Sequence, residues 1–249
     1  MIQETTLTKD AKPNLTNESM YLNTQRETAG FNVQRETARF NMIEQQIRTW
    51  EVLDPVVLAL LNEIPRENFV SAEYQGLAFA DIEIPIGLNQ LMLSPKLEGR
   101  ILQALNVQKT HNVLHVGTGS GYMTALLASL AKQVISVDIY AELSAKAAKN
   151  LTENNIQNVQ LIVGDAAWGL IEGAPFDLIV YTASSPIEPV GVRNQLAIGG
   201  AMFIVLGTAP AMQATLIQRL SATSFRQDVL FETCIAELVN APQANAFEF

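Results

Sequence analysis

Val113-Leu114-His115-Val116-Gly117-Thr118-Gly119-Ser120-Gly121-Tyr122 carries an apolar run straight into a glycine-rich turn and then into a helical pattern. The run reads as the first strand of a parallel sheet and the turn as its carboxyl end, the edge where open α/β sheets bind ligands. Glycines in such a turn permit positive φ and let a ligand approach the backbone closely. The spacing is G-x-G-x-G, whereas the dinucleotide fingerprint is G-x-G-x-x-G, so a pyrophosphate site is poorly matched.

Outward from this turn, an alternating strand–helix series continues toward the C-terminus. Strands are predicted at Asn112–Val116, Gln133–Asp138, Val159–Val163, Phe176–Tyr181 and Ala201–Leu206, with helices at about Tyr122–Ala131, Glu142–Asn154 and Pro189–Ala197. Apolar strands separated by amphipathic helices give a doubly wound, mostly parallel α/β sheet. Ala214–Leu220 and Phe225–Phe231 follow without an intervening helix and predict an antiparallel pair that finishes it.

Toward the N-terminus the pattern is helical. Phe40, Ile43, Ile47 and Trp50 share a helix face over 38–50, Pro55–Glu63 opens on a proline suited to a first turn, and a third helix spans about Lys96–Leu105 after Ser94-Pro95. Residues 79–87 alternate and then break at Pro85 and Gly87, an extended stretch and turn. Residues 1–24 are polar and poor in aromatics, a composition that cannot offset the entropy of ordering. The expected organisation is a disordered tail over 1–33 and one domain over 34–249, with a helical cap at 34–110 and the sheet at 111–249.

Composition removes several classes of function. No run approaches the roughly 18 apolar residues of a membrane helix, and the N-terminus lacks a secretory pattern, so the expectation is a soluble, cytoplasmic protein without a membrane partner. A formal charge of −9 disfavours nucleic acid. Two histidines, His111 and His115, cannot build a multi-histidine metal site, and no metal is expected. Cys234, Trp50 and Trp168 read as packing residues.

Further residues sharpen the glycine turn. Asp138 ends the second strand, where a carboxylate can accept hydrogen bonds from both ribose hydroxyls of an adenosine. Gly164-Asp165-Ala166 ends the third strand and offers a second carboxylate to an adenine amino group. Taken singly, Asp138 and Asp165 also suit a turn or helix cap. The ordered set, with Pro175 to Val180 and Leu196 to Ala201, resembles the motif series of class I S-adenosylmethionine methyltransferases, a Rossmann-like fold, more than that of nicotinamide enzymes.

Residues 35–232 resemble the protein-L-isoaspartate O-methyltransferase family in particular. The resemblance rests on Met42 to Ile47, on Ile64-Pro65-Arg66-Glu67-Asn68-Phe69-Val70, on Ala78 to Gly87 and on Val113 to Tyr122; the second and third strings lie outside the cofactor fold. It implies an S-adenosyl-L-methionine-dependent carboxyl O-methyltransferase that repairs proteins, whose partner is a protein or peptide bearing an isoaspartyl carboxylate. An ionised carboxylate attacks the sulfonium methyl directly, so alignment and exclusion of water supply most of the catalysis. The implied cofactor set is Gly117, Thr118, Gly119, Ser120, Gly121, Asp138, Ile139, Asp165, Ala166 and Thr182, with Asp81 and Leu93 toward the substrate and Ser94 as the catalytic hydroxyl.

The sequence departs from the family twice. The family's Thr-Ile-Ser-x-Pro loop reads Leu91-Met92-Leu93-Ser94-Pro95, so Leu93 falls on the serine. Ser94 either takes over that role or is an ordinary helix start. The strand residue usually Glu in the family is His115, which either bonds near the cofactor or is a satisfied core histidine. A member turned to another small-molecule or protein carboxylate, and a non-catalytic S-adenosylmethionine-binding module, are the alternatives.

Overall fold

The computed structural model describes residues 33–170 and 172–244. The tail expected over 1–33 lies, apart from Val33, outside the described residues. Contacts divide the chain after Phe40; within the smaller unit, residues 33–40 are helical.

The larger unit opens with Met42–Ile47 wound as a π-helix and Arg48–Trp50 as a 3-10 turn. The expected α-helical face is altered by that winding. Met42, Ile43 and Ile47 are buried, while Trp50 stays largely outside, with Lys96 Nζ 4.3 Å from its ring centroid. Helix α1 (Pro55–Glu63) starts where Asp54 accepts from the Val56 N–H at 2.8 Å and Pro55 supplies the first turn. Two 3-10 turns, Arg66–Phe69 and Ala72–Leu77, lead to a small antiparallel hairpin, β1 (Ile84–Gly87) with β2 (Gln90–Met92). The second strand of that hairpin and the 3-10 turns are absent from the sequence-based reading. Helix α2 (Pro95–Leu105) follows directly.

The main sheet contains β3 (Asn112–Val116), β4 (Gln133–Asp138), β5 (Val159–Val163), β6 (Phe176–Ser185), β7 (Leu196–Thr208), β8 (Ala211–Arg219) and β9 (Phe225–Thr233). Their order is β5-β4-β3-β6-β7-β8-β9. The first five are parallel, and β8 and β9 run antiparallel. The doubly wound, mostly parallel sheet with an antiparallel finish is therefore present. The chain reverses its direction of travel across the sheet between β3 and β6, which makes the end of β3 the switch point where a ligand crevice forms.

Helices α3 (Tyr122–Leu130) and α4 (Ala141–Glu153) make the β3–β4 and β4–β5 crossovers. One core joins them, α1 and α2 to strand residues such as Val113, Val134, Val180 and Phe203. The alternate strand residues, among them Leu114, Val137, Ile179, Met202 and Ile204, form a second core on the opposite face. That face is thinly covered: the described part of the β5–β6 crossover holds no helix, and α5 is only Val190–Arg193. The helix expected over Pro189–Ala197 is cut short because Leu196 to Gly200 already belong to β7, helped by Gly199 at φ +87. Cys234 and Trp168, expected to pack, are exposed.

Candidate active site

The turn after β3 is held from beneath. The Gly117 and Thr118 N–H groups donate to the Val137 carbonyl at 2.9 and 3.3 Å, and the Gly121 N–H donates to the Thr118 carbonyl at 2.9 Å. Gly117 and Gly119 have φ of +95 and +55, and a Cβ on Gly117 would stand 2.8 Å from Thr182 Oγ1. Gly121 serves a different need. Its missing Cβ would lie 3.1 Å from the Ala147 Cβ, so it lets α3 and α4 approach each other.

Two carboxylates stand beside the turn. Asp138 is buried and accepts from the Gly119 N–H (Oδ2, 2.8 Å) and from the Tyr140 N–H (Oδ1, 2.9 Å). The cap and the ligand readings of this residue are therefore compatible: each oxygen keeps a second lone pair, and the backbone bonds fix where it points. Asp165 accepts from the Ala167 N–H at 2.9 Å and from Asn240 Nδ2 at 2.7 Å. Asn240 reaches it from a C-terminal segment that adds a parallel bridge, Glu237 to Ser184, at the end of β6. Nothing in the sequence-based reading singled out that segment.

His115 is fully buried behind the turn. The Thr182 hydroxyl lies 2.9 Å from the Gly117 carbonyl and 3.2 Å from that of Val116, so it donates there and its oxygen accepts from His115 Nε2–H at 3.1 Å. Nδ1 is then the acceptor, facing Thr124 Oγ1 at 2.9 Å and Ser136 Oγ at 3.1 Å. Ser136 continues to Thr118 Oγ1 at 2.7 Å. Burial lowers the pKa of this imidazole from 6.5 to about 3, so it is neutral and satisfied. Of the two readings of His115, the core histidine is the one observed, although its bonds run into the glycine turn.

These elements form one wall of a cleft that spans about 780 Å3 of non-atom space, its open mouth included. Gly117, Thr118, Gly119, Ser120, Asp138, Ile139, Asp165, Ala166 and Thr182 all line it. The facing wall comes from β2 and α2: Leu91, Met92, Leu93 and Glu98. Gly121, Ser94 and Asp81 do not line the cleft. Ser94 is buried at the N-cap of α2 and makes no capping bond with its side chain, while Asp81 pairs with Lys96 Nζ at 2.8 Å.

Glu98 is the residue that sequence reasoning passed over. It falls on the apolar stripe of α2, in register with Ile101, Leu102 and Leu105, all buried. A carboxylate on such a stripe is the signal that could have found it. Its Oε2 accepts a short hydrogen bond from Arg66 Nη1, and both side chains are almost wholly buried. Arg66 Nη2 also donates to the Leu93 carbonyl at 2.6 Å, and its guanidinium lies 5.2 Å from the Tyr122 ring centroid. Burial raises the Glu98 pKa from 4.5 to about 7, outweighing the opposite pull of Arg66.

Comparison with known proteins agrees with this architecture. The profile of the Protein-L-isoaspartate(D-aspartate) O-methyltransferase family (PCMT) matches residues 37–241. A protein-L-isoaspartate O-methyltransferase of Koribacter versatilis (strain Ellin345) is 38% identical over 198 residues, covering 80% of this chain and 89% of its own. Among solved structures, a protein-L-isoaspartate O-methyltransferase superposes with a TM-score of 0.70 at 22% identity, over 82% of this chain and 65% of that longer one. A Plasmodium falciparum structure of the same description, in complex with S-adenosyl-L-homocysteine, gives a TM-score of 0.68 at 19% identity, over 80% of this chain and 96% of its own. With the family profile covering most of its length, this chain belongs to the protein-L-isoaspartate(D-aspartate) O-methyltransferase family.

Proposed function

We propose that the protein transfers the methyl group of S-adenosylmethionine to the free carboxylate of isoaspartyl residues in proteins or peptides. The observation that carries this reading is the cleft itself, in which a glycine turn with two fixed carboxylates faces a largely apolar wall across the sheet's switch point.

The residues fit an adenosine-bearing donor. Asp138, pinned by two N–H groups, presents its remaining lone pairs to ribose hydroxyls, and Asp165, pinned by Ala167 and Asn240, does the same for an amino group. The backbone of Gly117 and Gly119 forms the surface between them, which a Cβ would obstruct. S-adenosylmethionine, when bound, supplies a sulfonium-activated methyl that an ionised carboxylate accepts without prior deprotonation. The protein's work is to align the two and keep water out. Leu91, Met92 and Leu93 form the water-excluding side, and the Arg66 bond to the Leu93 carbonyl keeps that side in place.

The test is transfer of labelled methyl to an isoaspartyl peptide, with its normal aspartyl twin as control. Label on the isoaspartyl peptide alone is the expected result. Binding of S-adenosylmethionine without transfer to either peptide would overturn the isoaspartyl reading.

A further inference from the structure

We propose that Glu98 is the acceptor-selecting residue of the cleft, and that its carboxyl group admits an acceptor carboxylate only while it carries a proton. The proposal rests on the isoaspartyl reading above for the charge of the acceptor.

The geometry comes first. Glu98 lines the cleft together with Met92 and Leu93, and with Asp138 and Asp165. Its Oε2 is occupied by Arg66, and among the described residues Oε1 has no hydrogen-bond partner, so a proton on Glu98 sits on Oε1. In that form Oε1–H is a hydrogen-bond donor to an incoming carboxylate, in a wall whose neighbouring side chains are apolar. In the ionised form the same oxygen is an acceptor only and repels a carboxylate across a poorly screened space.

The other charged groups around it do not reverse this sign. From the 3-10 turn, Arg66 faces Glu98 and is already bonded to it and to the Leu93 carbonyl. On α2 itself, Lys96 pairs with Asp81, and Arg100 bonds the Trp50 carbonyl and Glu51. From α3, Tyr122 lies under the Arg66 guanidinium. The same cleft is lined by Asp138, Asp165 and Tyr140, of which the carboxylates add negative charge. Burial pushes the Glu98 pKa up to about 7, so both forms are populated near neutrality.

The experiment measures steady-state methylation of an isoaspartyl peptide at pH 6 and pH 8, with S-adenosylmethionine saturating, for the parent and for Glu98→Gln. The acceptor carboxylate is ionised at both pH values. The expected result is a parent KM that rises about tenfold from pH 6 to pH 8 with kcat little changed. Glu98→Gln, whose amide keeps an oxygen for Arg66 and a permanent donor for the cleft, should have a flat and low KM. A flat parent profile overturns the proposal without any variant, and so does a KM rise that persists in Glu98→Gln; in both cases the isoaspartyl reading stands. Transfer by Glu98→Gln but not by the parent at either pH would remove the isoaspartyl reading from the native chain and also overturn the proposal, since the parent carries the proton on Glu98 at pH 6. Transfer by neither removes both.

Discussion

The two walls of the cleft are built on different principles. The β3–β4–β5 wall is made mostly of backbone: peptide N–H groups hold Asp138 and, with the Asn240 side chain, Asp165, and glycines let the turn itself be the surface. The β2–α2 wall is made of side chains, with one buried ion pair supporting an apolar strand. A backbone site tolerates change at most side chains but fails when a glycine or a pinned carboxylate is lost. A side-chain site can be retuned by one substitution, and its stability depends on few contacts.

Arg66→Ala tests the weaker design hardest. It leaves Glu98 as a buried acid without its partner and releases the Leu93 carbonyl, so it should destabilise the fold by about 3 kcal/mol in a denaturant titration. A change under about 1 kcal/mol would mean that water reaches Glu98 and that the two walls are less different than their burial indicates. Asp138→Ala probes the other wall. Loss of charge-assisted hydrogen bonds worth roughly 1.5–3 kcal/mol should weaken S-adenosylmethionine about ten- to a hundredfold by calorimetry. Unchanged affinity in a folded variant would reduce Asp138 to a brace for the turn.

The walls should also respond oppositely to pH. Glu98 binds its proton more tightly folded than unfolded, so the stability it contributes is present below pH 4.5 and is lost as pH rises through about 7. His115 is held neutral, so its contribution is present above pH 6.5 and is lost as pH falls toward about 3. Between pH 4.5 and 6.5 the two slopes oppose each other. Thermal melts of Glu98→Gln should rise more steeply with pH than the parent across that window, and those of His115→Gln less steeply. Identical slopes in all three would show that neither group titrates as its burial requires.

The smallest effects concern the serine question. Leu93→Ser places a hydroxyl in the apolar wall and should raise isoaspartyl turnover up to about tenfold, the worth of one hydrogen bond. Ser94→Ala removes a side chain that neither caps α2 nor lines the cleft, so stability should stay within about 0.5 kcal/mol and turnover should be unchanged. A large loss of turnover in Ser94→Ala would show that the α2 N-terminus shifts when substrate binds.

The difference between the walls also explains what could be read in advance. β3, β4 and β5 match their sequence-based bounds because apolar runs and glycine punctuation are local signals. So are the residues at their ends, eight of which, Gly117 to Ser120, Asp138, Ile139, Asp165 and Ala166, meet in the cleft. The β2–α2 wall is assembled from distant segments. Arg66 looks like an ordinary surface charge until the fold buries it against Glu98, whose place on the apolar stripe of α2 is the one local signal, and Leu93 and Ser94 are told apart only by which one faces the cleft. The C-terminal contact of Asn240 with Asp165 was invisible for the same reason, since a polar residue beyond the last strand carries no periodic signal. The short α5 was misjudged because β7 extends backward through Gly199 and Gly200 into territory that reads as helix.

That Asn240 contact has a consequence for the growing chain. A ribosome releases the glycine turn, Asp138 and Asp165 long before it releases Asn240, so until then Asp165 has only the Ala167 N–H of its two braces. The cleft is completed by nearly the last described residues to be made, and a message truncated ahead of residue 240 would leave Asp165 to the Ala167 N–H alone.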